Sequence, residues 1–141
     1  MKKILLSSAV VALVAVIGAV SQTSRGAKHH AVFQLTEPDG DAWQVLEPHV
    51  TNLQAAFAKD GGVEVEVVFY GPGLNMLRKT NTVYEERLKK LVAAGVKLSA
   101  CQNAMKVLKV TTEDLFPFAS QVESGLAEIT RQQEAGWAYI H

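Results

Sequence analysis

The stretch Val63-Glu-Val-Glu-Val-Val-Phe-Tyr70, closed by Gly71-Pro-Gly73, decides the fold class. It is rich in β-branched and aromatic residues, so it reads as a strand. Its second half, Val67 to Tyr70, is apolar without alternation. A strand with one wet face would keep alternating. An unbroken apolar run indicates burial on both faces, as in a parallel sheet. Gly71 and Pro72 then stop the strand.

Outward from this strand, segments of the two types alternate. Upstream, Ala31 to Leu35 reads as a first strand, and Thr36 to Asp41 is a loop in which Asp41 is a candidate helix cap. Ala42 to Lys59 has helical spacing at Val45, Leu46, Val50, Leu53, Ala56 and Phe57, with Pro48 placed to split or kink it. Asp60-Gly-Gly62 ends that helix.

Downstream, Leu74 to Leu77 suits a short helical turn, and Thr82 to Ala94 a helix with Val83, Leu88, Leu91 and Val92 inward. Val96 to Ala100 is a third strand that ends at Cys101, and Asn103 to Leu108 is a short helix. After an acidic turn capped at Thr111 or Thr112, Ala119 to Glu123 is a weak fourth strand. Ser124 caps a helix over Gly125 to Glu134, with Leu126, Ile129 and Thr130 inward. Trp137 to Ile140 is the last strand. This pattern predicts a three-layer α/β domain: a mostly parallel sheet of roughly five strands with helices on both faces, joined by right-handed crossovers.

The chain of 141 residues suits one domain. Met1-Lys-Lys3 precedes the uncharged, apolar run Ile4 to Val20, and Ala19 and Ser21 occupy small-residue cleavage positions. Residues 1–21 therefore have the form of a secretory signal peptide. The run also approaches the ~20 residues of a bilayer span, so an uncleaved anchor is the second reading, and with it a membrane attachment. Both place the domain outside the cytoplasm, periplasmic or secreted. Residues 22–29 read as a linker and 30–141 as the domain.

Lys plus Arg and Asp plus Glu are each 14; losing Lys2 and Lys3 with a signal leaves 12 against 14, a net charge of −2. Nucleic-acid binding needs a concentrated basic face, and the basic residues here are scattered. There is no G-x-S-x-G elbow, no H-E-x-x-H helix and no phosphate loop. No cofactor motif is present, and His29, His30, His49 and His141 do not stand at zinc spacing with Cys101.

Ligands of open parallel sheets bind at the carboxyl ends of the strands. Cys101, the only cysteine, lies at such an end, where a strand becomes a helix. Helix-start N–H groups stabilise an anion, so a reactive thiolate is one reading. A buried small hydrophobe is the other. Gly71, Gly73, Asn75, Gln102 and Asn103 flank the same strand ends and are the candidate ligand contacts. Cys101 and Met105 share a helix spacing that suits soft metals, but two ligands are too few for a site. Trp43, Trp137 and Tyr139 are candidates for either core or interface.

The segments Val32-Phe-Gln-Leu35, Val65-Glu-Val-Val-Phe-Tyr-Gly-Pro-Gly-Leu74, Ala100-Cys-Gln-Asn-Ala-Met105 and Gly136-Trp-Ala-Tyr-Ile140 resemble the DsrE/DsrF-like family. The resemblance implies a five-stranded α/β domain, often assembled into trimers or hexamers. It also implies a sulfur-relay role in which one cysteine accepts a persulfide sulfur from a donor protein and passes it to an acceptor. That role would fall on Cys101, with Gly71, Asn75 and Asn103 near it. The alternatives are a non-catalytic oligomeric module for a small anion or protein, and a soft-metal binder.

Overall fold

A computed structural model describes residues 26–141. The signal or anchor expected over 1–21, and the first half of the linker, lie outside the described residues. Among the described residues, no helix is long and apolar enough to cross a membrane.

The elements follow the expected alternation. Strands β1 (His29–Leu35), β2 (Val63–Phe69), β3 (Lys97–Cys101), β4 (Ser120–Val122) and β5 (Ala138–Ile140) form one sheet in the order β4-β3-β2-β1-β5. All pairings are parallel. The helices are α1 (Asp41–Phe57), α2 (Thr82–Ala93), α3 (Gln102–Leu108) and α4 (Gly125–Glu134). A 3-10 segment, Gly71–Leu77, follows β2.

Strand order explains the layers. From β1 to β4 the chain steps across the sheet in one direction, and α1, α2 and α3 pack against one face. Their core includes Trp43, Leu46, Val50, Leu88, Leu91 and Met105 against Phe33, Val67 and Leu98. The chain then returns from β4 at one edge to β5 at the other. A right-handed crossover in the reversed direction puts the connecting helix on the opposite face. Helix α4 lies there, with Ile129 packed on Val32 and Val68, and Trp137 beside them. Burial on both faces makes Val65 through Phe69 wholly internal, as the unbroken apolar run required.

Several local expectations are corrected. Helix α1 runs through Pro48 without a break. Proline removes the N–H that would bond the carbonyl four residues back, here that of Gln44. Arg87 of α2 donates Nη1 to this carbonyl at 3.1 Å, which replaces the lost bond. Asp41 is the first helical residue and not the cap; Gly40, with φ of 84°, occupies the cap position. The inward face of α1 is Trp43, Leu46 and Val50, while Val45 and Ala56 are exposed. Val83 is likewise exposed. In α4 only Ile129 of the three expected residues is buried; Leu126 and Thr130 face outward. β1 starts two residues before the expected strand, because the N–H groups of Lys28 and His29 bond Gly61 and Gly62. Trp43 is core, whereas Tyr139 on the edge strand is 38% exposed.

Candidate functional site

Cys101 ends β3 and caps α3. Its Sγ accepts the backbone N–H of Ala104, at 3.5 Å, and of Gly125, at 3.2 Å. The first donor opens α3 on one face of the sheet; the second is the first residue of α4 on the other. The sulfur thus sits where two helices leave the strand ends in opposite directions. Ser124 caps α4 through Oγ, which accepts the Ala127 N–H at 3.3 Å. A side chain at Gly125 would be crowded: a Cβ there would lie 3.0 Å from the Tyr70 Cβ.

Cys101 is 5% exposed, yet it lines an open cavity of about 400 Å³. Three walls form it. Tyr70, Gly71 and Pro72 come from the end of β2, and Asn103, Ala104, Val107 and Leu108 from α3. Ser124, Gly125 and Leu126 complete it from the start of α4. Burial, then the nearby Tyr139, Glu37 and Cys101, raise the Tyr70 phenol above its ordinary value, so Tyr70 stays neutral at physiological pH. Val107 and Leu126 at the cavity are 81% and 61% exposed, unusual for aliphatic side chains.

A family model described as the DsrE/DsrF-like family matches residues 32–141. The chain belongs to the DsrE/DsrF-like family. Among solved structures, it is similar to a protein of unknown function, MTH1491 from Methanobacterium thermoautotrophicum. The two are 34% identical, with a TM-score of 0.74, over 79% of this chain and 97% of that one. No curated protein matches. The resemblance seen in the strand-end motifs is therefore real, and the five-stranded parallel sheet is the fold it implied.

In this DsrE/DsrF-like domain, the expected site residues separate into two groups. Gly71 and Asn103 join Cys101 at the cavity. Gly73, Asn75 and Gln102 do not line it. At Gly73 the approaching backbone is the protein's own: a Cβ there would run into Leu35 and come 2.9 Å from the Thr36 Cα. Asn75 braces its loop, with its carbonyl accepting the Asn81 Nδ2 at 2.7 Å. Gln102 points to the far side of α3, its Nε2 3.4 Å from Gln121 Oε1. Met105 packs into the main core. Among the described residues, no three His, Cys, Asp or Glu side chains gather as a metal site.

Tyr70, Ser124 and Gly125 were not singled out as site residues from sequence. Ser124 and Gly125 follow the weak fourth strand, so the strand-end rule that found Cys101 pointed to them as well.

Proposed function

We propose that this chain is an exported sulfur carrier in which Cys101 accepts and passes on a persulfide sulfur. One observation carries the reading: a lone thiol at the floor of a strand-end cavity, with two backbone N–H groups directed at its sulfur. Such donors complement negative charge on sulfur. Membership of the DsrE/DsrF-like family supports the same role. In the proposed step, the Cys101 thiolate attacks the outer sulfur of a donor persulfide. A new Sγ–S bond forms, the donor's S–S bond breaks, and its electron pair leaves with the donor thiolate. Attack by an acceptor thiolate on that outer sulfur reverses the exchange and regenerates Cys101. The N-terminal segment supports a periplasmic or secreted location, or a membrane-anchored one. A trimer or hexamer is the proposed assembly, with donor and acceptor proteins as partners.

The test is intact-protein mass spectrometry of the folded chain after inorganic polysulfide. The expected result is a gain of one sulfur atom, removed by a thiol reductant and absent from Cys101→Ala. A thiol that takes up no sulfur, and is alkylated only in denaturant, would end the carrier reading and leave the cavity a binding site only.

A further inference from the structure

The chemistry of the cavity wall narrows what Cys101 can exchange with, and this inference rests on the carrier reading above. None of the residues lining the cavity is Asp, Glu, Lys, Arg or His. Three of the helix-start donors that would otherwise attract an anion are committed. The Ala104 and Gly125 N–H groups point to Sγ, and the Ala127 N–H to the Ser124 hydroxyl. The remaining wall is largely hydrocarbon: Pro72, Ala104, Val107, Leu108 and Leu126, with the neutral Tyr70 ring. Val107 and Leu126 expose apolar surface to water until something apolar covers it.

A charged ligand entering this space would lose hydration and gain no counter-charge. We infer that the cavity selects an uncharged, apolar sulfur compound, a disulfide or polysulfide with alkyl or aryl substituents, over anionic donors such as thiosulfate-like or carboxylated species. The size of the cavity, about 400 Å³, lies in the range of small-molecule sites. The polar contacts left for orienting such a ligand are Asn103 and Ser124 at the walls.

Thiol–disulfide exchange reports this selectivity directly. The Cys101 thiolate attacks one sulfur of a symmetric disulfide, the mixed disulfide forms, and the other half leaves as a thiolate. Four probes serve: diethyl disulfide and its bis-hydroxyethyl, bis-carboxyethyl and bis-aminoethyl counterparts. Each rate on the folded full chain is divided by the rate on the same chain in denaturant, which cancels intrinsic reactivity. The normalised rate for diethyl disulfide is expected to exceed those of both charged probes by roughly tenfold or more. Leu126→Lys, at an exposed position, should raise the carboxylated probe's normalised rate by roughly tenfold and lower that of the amine.

Equal normalised rates on a reactive Cys101 would overturn the inference and spare the carrier reading. A faster reaction with the carboxylated probe would overturn it too, as would a Cys101 that reacts with diethyl disulfide only after an oligomer dissociates. A folded protein inert to all four probes that still gains sulfur from polysulfide would overturn the inference alone; one that also gains none would end both.

Discussion

Gln132 of α4 donates Nε2 to the carboxylate of Glu66, in the middle of β2, at 2.6 Å. Glu66 is fully buried. Its other oxygen accepts the Ser99 hydroxyl at 2.6 Å and lies 2.9 Å from Lys97 Nζ. Three donors from two elements thus compensate one carboxylate removed from water. They also tie α4 to the sheet two turns beyond Gly125, the residue whose N–H reaches Cys101.

Glu66→Ala would remove the shared acceptor and leave Gln132 and Lys97 only the longer contacts to Glu128, and Ser99 only that to Ser120. Because Lys97 is half-exposed and can turn to water, the expected loss is about 2–3 kcal/mol, below that of a fully buried pair. Glu66→Gln keeps the shape and one acceptor oxygen, and should lose about 1 kcal/mol. Urea unfolding of the three proteins measures both. Equal stability of Glu66→Ala and the parent would show that the network does not hold α4.

Pro48 and Arg87 should be energetically coupled through the Gln44 carbonyl. Arg87→Ala removes its donor and is expected to cost about 1 kcal/mol. In a Pro48→Ala background the helix supplies its own N–H, so the same change should cost close to nothing. The double-mutant cycle gives the coupling directly, and a value of zero would rule out the compensation.

Gly125→Ala tests the geometry around the thiol. The added methyl would press on Tyr70, 3.0 Å away, and push the start of α4 outward. The Gly125 N–H would then draw away from Sγ. Sulfur uptake by Cys101 should fall roughly tenfold, equivalent to about 1.4 kcal/mol, as expected for one hydrogen bond to a charged group. The rate of sulfur uptake from polysulfide, followed by mass, checks this. Unchanged uptake in a folded Gly125→Ala would remove that bond from the mechanism.

Asp114 should contribute an acid-sensitive component of stability. Its carboxylate accepts the backbone N–H of Thr111 at 2.8 Å and the Thr111 hydroxyl at 3.0 Å. The backbone bond first, then the hydroxyl, hold its pKa below the ordinary carboxylate value. A folded-state value below the unfolded one stabilises above the unfolded value and is lost as pH falls through the folded one. The loss therefore belongs below about pH 4. Asp114→Asn should be less stable at neutral pH, and the gap to the parent should close in acid. A gap independent of pH would assign the effect to packing.

Hydrophobic pattern and turn residues are local properties, and they determined a good deal here. The apolar end of β2 required a sheet covered on both sides, and five strands with intervening helices followed from the same alternation. Cys101 was placed at a strand end beside a helix start because a change of period marks that junction in the sequence. Together with the flanking motifs, this also disclosed the family. Only the tertiary structure decided the strand order β4-β3-β2-β1-β5, and with it the placing of α4 alone on the second face. Strand pairing depends on contacts between segments far apart in the chain, which no local pattern encodes. For that reason the strand's own pattern does not show that Glu66 is buried under Gln132. Leu126 reads as core, yet stands exposed at the cavity. The second donor to Cys101 comes from Gly125, 24 residues on, brought to the sulfur when α4 crosses the sheet.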